Sequence, residues 1–225
     1  MRKSLWALFL TAACCCGGGP DVPELPIYSG PRDPATLCKV LSTRYGWTTM
    51  AASGTCTLKS KKESRTFNFE LLADRPRGIL VFTGDKALTG TLFRLQSTAE
   101  KTQLEDFTQD EPSTILLDPS KPLDVLGGGS VGALRTLLLS WPPRGELHEN
   151  EGTLTWDTLT IDKERLSLKK SLVDGLELTF KGDVEMPKGR VRPVVWLLSA
   201  TSEESLSLAL DNDVEFDADL GSEIP

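Results

Sequence analysis

The sequence predicts a mainly β fold of the α+β kind: antiparallel strands in a meander, preceded by one helix and interrupted by one helical insertion. Three observations carry this. Apolar residues alternate at period two through residues 50–58, 67–71, 93–96, 176–181 and 206–210, as in strands with one buried face. Turn-forming residues separate these segments at short intervals, which suits antiparallel neighbours; parallel strands need long crossovers. Helical spacing of apolar residues appears in only two places, after Asp33-Pro34 and after Gly129.

The chain opens with an export signal. Arg2 and Lys3 precede an apolar run from Leu5 to Leu10, and Thr11, Ala12 and Ala13 lead into Cys14. That run is too short to cross a hydrocarbon layer of ~30 Å as a helix. A cysteine after small residues is the pattern acylated by the bacterial lipoprotein pathway, with an acyl group such as palmitate. Residues 1–13 then read as the signal peptide and Cys14 as the lipidation site. Cys15 or Cys16 serves if the cut slides, and simple secretion is the alternative. An aspartate after the acylated cysteine would favour the inner membrane; Cys15 stands there, which points to the outer membrane. Residues 14–33 are rich in Gly and Pro and read as a tether, or as an ordered arm packed through Leu25, Ile27 and Tyr28.

The domain spans residues 34–217. Asp33 caps its first helix, Pro34 takes the first turn, Leu37, Val40 and Leu41 form the buried stripe, and Gly46 ends it. Met50, Ala52, Gly54, Cys56 and Leu58 then form the thin inner face of a first strand. A basic turn over residues 59–65 leads to Phe67, Phe69 and Leu71; a second turn over 74–78 leads to a strand from Ile79 to Phe82. After a loop over residues 83–90, Phe93 and Leu95 alternate with Arg94 and Gln96, and residues 101–107 pair onward. The helical insertion holds Leu123, Val125 and Leu126, then Gly127, Gly128 and Gly129 as a break, then Val131, Leu134, Leu137 and Leu138 with Arg135 outward, stopped by Pro142-Pro143. Beyond it, residues 153–162 read as one strand with Leu154 and Trp156 on one face and Leu159 and Ile161 on the other. Leu166 and Leu168, then Leu176, Leu178 and Phe180, continue the meander. Pro193 marks an edge or a bulge before Val194–Leu198, and Leu206, Leu208, Leu210, Val214 and Phe216 close the domain. Residues 218–225 read as a frayed acidic tail.

Composition excludes several classes. With 39% hydrophobic and 25% charged residues, the chain is neither disordered nor membrane-embedded. Loss of Arg2 and Lys3 leaves 23 basic against 32 acidic residues, a formal charge of −9. That is the wrong sign for nucleic acid. Cys38 and Cys56, the two cysteines inside the domain, read either as a disulfide or as two buried apolar residues. His148, in a loop-like run, is the one histidine, and no second cysteine pair accompanies Cys38 and Cys56, so no zinc site is expected. No nucleophile motif surrounds His148, and neither a catalytic residue nor a cofactor is expected.

Helix, meander, helical insertion, second meander is also the order in a known family. Three stretches carry the likeness: residues 75–82 (RPRGILVF) running on through 92–95 (LFRL) to 102–106 (TQLED); residues 129–142 (GSVGALRTLLLSWP), a central helix ending in proline; and Arg192-Pro193 followed by apolar strands to Phe216. In these the chain resembles the LolA/LolB-like periplasmic lipoprotein carriers and receptors. The resemblance implies a curved antiparallel sheet forming an unclosed barrel, plugged by the N-terminal helix and the central helical insertion. It implies a cavity for acyl chains, lined by Phe67, Phe69, Leu71, Phe93, Leu95, Trp156 and Phe180; the same residues read equally well as a closed core. It also places Leu88 on a membrane-contact loop. The implied function is a non-catalytic, lipid-anchored protein of the outer membrane, facing the periplasm. It takes acyl chains of lipids or lipoproteins, with a periplasmic carrier protein as a partner. The alternative is a structural or assembly lipoprotein with a solid core that binds a protein partner.

Overall fold

The Asp33 side chain accepts from the Thr36 N–H at 3.0 Å, and this cap starts helix α1 (Pro34–Tyr45). Pro34 fills the first turn, where no N–H is needed, and the Gly46 N–H closes the helix onto the Ser42 carbonyl. The computed structural model describes residues 22–61, 63–86, 90–109, 111–139, 146–201 and 203–221. The export signal with Cys14, the loop carrying Leu88, and Trp141 with its prolines lie outside these residues.

After α1 come β1 (Thr49–Lys59), β2 (Ser64–Asp74), β3 (Ile79–Lys86), β4 (Gly90–Ser97), β5 (Thr102–Asp106) and β6 (Ser113–Leu116). A short 3₁₀ turn (Asp124–Leu126) and helix α2 (Val131–Leu139) form the insertion. The second meander is β7 (Leu147–Asn150), β8 (Thr153–Trp156), β9 (Leu159–Asp162), β10 (Leu168–Val173), β11 (Leu176–Met186), β12 (Arg190–Ser199), β13 (Ser205–Leu210) and β14 (Glu215–Phe216). Among the described residues these make one antiparallel sheet of 14 strands in the order β6-β5-β4-β3-β2-β1-β13-β12-β11-β10-β9-β8-β7, with β14 beside β1. The outermost strands β6 and β7 do not pair with each other, so the sheet is not closed into a barrel. Helix α1 packs against β12, and α2 against β2, β10 and β11.

Local chemistry accounts for the insertion and for Pro193. Gly127 takes a left-handed φ of 59° and ends the 3₁₀ turn; a Cβ there would lie 2.7 Å from the Ser205 backbone. Ser130 then accepts from the Ala133 N–H at 3.1 Å and starts α2. Pro193 sits opposite Asp183 of β11, on a part of β12 that β13, paired only from Val195 to Ser199, does not reach; its missing N–H breaks no ladder bond on that side.

Several expectations are corrected. Residues 153–162 form the hairpin β8–β9, in which Trp156 faces Leu159. Asp157 takes a φ of 53° in the turn, which resets the alternation, so Leu154, Trp156, Leu159 and Ile161 are all buried in one cluster. Residues 113–116 form a strand where none is expected, and His148 lies in β7 instead of a loop. The acidic ending packs at least as far as Leu220, which is 4% exposed against Leu72, Ile79 and Val81 on the opposite face of the sheet. From Pro23 onward the tether is an ordered arm. Leu25 is buried, the Pro23 carbonyl accepts from the Asp183 N–H at 2.8 Å, and the Tyr28 N–H donates to Glu164 at 2.8 Å; Ile27 stays exposed.

Cys38 and Cys56 are free thiols. Cys56 is buried on the inner face of β1, whereas Cys38 packs on α1 against a different apolar cluster. Burial pushes the Cys56 thiol up to about 12, which leaves it protonated and unreactive. Thiol labelling of the unfolded, non-reduced protein therefore finds both cysteines of this pair reactive; protection of the pair would reinstate the bridge.

Candidate functional site

The covered face of the sheet carries two apolar clusters. The first contains Met50, Ala52, Cys56, Phe67, Phe69, Leu71, Phe82, Phe93 and Leu95, roofed by Val131, Ala133, Leu134 and Leu138 of α2. Its aromatic rings interlock: Phe67 and Phe93 meet edge to face at 5.6 Å, and Phe82 touches Phe69 at 5.9 Å and Phe93 at 5.6 Å. Phe93 lies so close over Gly84 that a Cβ there would come within 2.4 Å of its ring. This is a filled core. The second cluster joins Leu25, Leu37, Leu41 and Tyr45 to Leu154, Trp156, Leu159, Ile161, Leu168 and Val191. Phe180 packs against both.

Between the two clusters lies a cavity. Leu159, Leu168, Leu178, Phe180, Val191, Pro193 and Trp196 line it from the sheet, Leu137 and Leu138 from α2, Tyr45 from α1, and Trp47, Ser171 and Phe216 complete the wall. Its volume is about 60 Å³, room for a few waters. Pockets that enclose an organic ligand run to ~300 Å³ or more. An acyl chain therefore enters only if α2 or the aromatic wall shifts. Of the seven residues expected to line a cavity, Phe180 does so. Phe67, Phe69, Leu71, Phe93 and Leu95 are brought together in the first core, and Trp156 lies in the second. Trp196, Leu178 and Leu168 were legible as apolar strand residues, but Trp47 and Tyr45 join them only through the tertiary fold.

The cavity wall is held by polar contacts around it. Ser171 donates to Thr158 at 2.9 Å, and the Tyr45 hydroxyl donates to the Leu166 carbonyl at 3.2 Å. Arg75 lies over the Trp47 ring at 5.3 Å, donates to the Trp47 carbonyl and reaches the Leu139 carbonyl at the end of α2. Arg135 ties the outer side of α2 to the Thr98 carbonyl at 2.6 Å. Arg190 stacks on Phe216 and pairs with Asp217; burial works against that carboxylate, but hydrogen bonds from Thr48 and Arg190 hold it down at about 2.

The Asp183 carboxyl of β11 interacts with the Tyr45 hydroxyl. Burial pushes its carboxyl up to about 6, offset in part by Lys169, Arg44 and the Tyr45 hydroxyl and reinforced by Asp162. Among the described residues its Oδ1 has no hydrogen-bond partner. No group of three or more His, Cys, Asp or Glu able to hold a metal occurs among the described residues.

This architecture has relatives among solved structures. A LolA superfamily protein from Nitrosomonas europaea superposes with a TM-score of 0.55 at 11% identity, over 86% of this chain and 97% of that one. A putative outer membrane lipoprotein-sorting protein domain from Vibrio parahaemolyticus gives 0.53 at 13% identity, over 85% and 96%. A DUF1329 family protein from Desulfovibrio piger gives 0.58 at 10% identity, over 84% and 96%. No protein-family model and no curated protein sequence matches the chain. At these identities the likeness is one of fold, and the fold is LolA/LolB-like.

Two outcomes follow from this geometry. Phe69→Ala and Phe93→Ala open voids in a filled core and cost about 3–5 kcal/mol in urea unfolding. Phe180→Ala, on the cavity wall, costs less than either and changes the affinity for any ligand held there. For Asp183, the raised value means that the native state binds the proton more tightly than the unfolded chain does. Stability is therefore gained as pH falls from above about 6 to ~4, on the order of 3 kcal/mol for this group. Asp183→Asn should remove that part of the pH profile and raise stability at pH 7; an unchanged profile refutes the assignment.

Proposed function

We propose that the protein is a non-catalytic carrier or receptor that takes acyl chains of lipids or lipoproteins into the cavity between α2 and β10–β12. In this reading it is anchored to the outer membrane through an acylated Cys14 and hands its cargo on there. The observation that carries this is the cavity itself: a mainly apolar space of about 60 Å³ left between two filled cores, over β9 to β12 and under α2, which admits an acyl chain once α2 or the aromatic wall shifts. Such a space gains affinity from apolar burial, at ~25 cal/mol per Å², and has no use for polar substrates. The lipoprotein-sorting domain among the fold relatives supports the same class of ligand.

A second reading keeps the scaffold alternative. The aromatic residues expected around a ligand form a solid core instead, and β6 presents Ile115 and Leu116 at an exposed sheet edge where a protein partner can pair.

Delipidated protein titrated with a fluorescent fatty acid separates the two. Saturable uptake, displaced by unlabelled fatty acid, is expected of the carrier; no uptake moves the assignment to the scaffold. Cys14→Ser is expected to shift the protein from membranes to the soluble periplasmic fraction. A variant that stays acylated and membrane-bound places the lipid on Cys15 or Cys16.

A further inference from the structure

The cavity's polar side chains can be accounted for one by one. Ser171 donates to Thr158 and Tyr45 to Leu166. Trp196 differs. It is 6% exposed on the cavity wall, and its indole Nε1 is buried with no hydrogen-bond partner among the described residues. The ring meets Phe180 edge to face at 6.2 Å, a contact that orients it but offers no oxygen. β12 also fixes its direction: Trp196 is paired on one side with Phe180 of β11 and on the other with Leu208 of β13. A buried donor without an acceptor is costly, and native proteins keep few of them. Phenylalanine would give a strand residue with an aromatic face at this place and no such cost.

From this, and resting on the acyl-binding reading above, we infer that Trp196 is a specificity-determining residue whose indole N–H receives an acyl oxygen of the ligand. The chemical class is then an acyl chain ending in an ester, amide or carboxyl group, held with the chain along the apolar wall and the carbonyl end at Trp196. A pure hydrocarbon admitted by the same shift of α2 or the aromatic wall leaves the donor unmatched. The acyl oxygen has two sources, the ester of a glycerolipid or lipoprotein and the carboxylate of a free fatty acid. Both present an acceptor that an indole N–H can meet.

A comparison of three probes on two forms of the full chain tests this. Methyl palmitate, palmitate and heptadecane each displace a bound fluorescent fatty acid from the parent protein and from Trp196→Phe. The expected result is a loss of about fivefold in affinity for the oxygen-bearing probes beyond whatever the variant loses for heptadecane, the size of one neutral hydrogen bond. Extra loss with methyl palmitate assigns an ester; extra loss with palmitate alone assigns a free acid. Equal loss for all three probes overturns the role of Trp196 and leaves acyl binding standing. No binding of any probe to the parent removes the acyl reading and this inference with it. Should Trp196→Phe fail to fold, the parent's own indole resonance serves. It should move downfield with methyl palmitate or palmitate and not with heptadecane, and equal shifts with all three refute the hydrogen bond.

Discussion

The pairing of β1 with β13 is the constraint on which the rest depends. The two meanders, β2 to β6 and β7 to β12, are each built from local hairpins, and only this ladder, from Gly54 opposite Leu210 to Lys59 opposite Ser205, joins them into one sheet. It closes a separation of about 150 residues, the slow and entropically costly kind of contact. Its register also decides which side chains share a face. Cys56 lies opposite Leu208 and Leu58 opposite Leu206, so the inner rows of both halves run together. A slip of one residue would turn every one of them outward. Gly54 marks how tight the seam is, since a Cβ there would fall 2.0 Å from the Ala209 carbonyl oxygen.

From that seam the covered face acquires its division of labour. On the side of β2 to β4 the residues are phenylalanines that fill space against one another, and helix α2 seals them. On the side of β8 to β10 the residues are mostly leucines, sealed by α1 and by Leu25 of the arm. The helices are short, 12 and 9 residues, and the gap between their footprints is where Phe180 and Trp196 stand with space beside them. The cavity thus results from how far two lids reach. Neither its position nor its lining depends on a separate motif.

This explains which parts were legible in the residues. Helix α1 was, because Asp33, Pro34 and Gly46 each state a boundary chemically. The inner face of β1 was, because small and apolar residues alternate without interruption over Met50, Ala52, Gly54 and Cys56. The β8–β9 hairpin was not, because Asp157-Thr158 lacks the glycine that usually announces a two-residue turn, and one missed turn reverses the faces beyond it. Leu220 was hidden as a lone apolar residue in an acidic run. The cavity was illegible for a deeper reason: period two tells which face a residue occupies, but whether that spot lies beneath a helix or between two is a property of the whole sheet. Phe69 and Phe180 have the same pattern and different fates.

The ordered arm sets a leash length. The chain is fastened to the domain from Pro23, through its bond with Asp183 and the burial of Leu25. If Cys14 carries the proposed anchor, the eight residues 15–22 are all the chain left between it and the fastened arm. At ~3.3–3.6 Å per residue that stretch reaches at most about 30 Å, less than the width of ~40 Å expected of a domain of this size. On the proposed reading of a carrier anchored at Cys14, so short a lead keeps the domain at the membrane, and cargo must be brought to it. The arm fastens beside β11 and α1, the elements that flank the cavity, so an anchor on its N-terminal side would also restrict how the domain turns relative to a lipid surface.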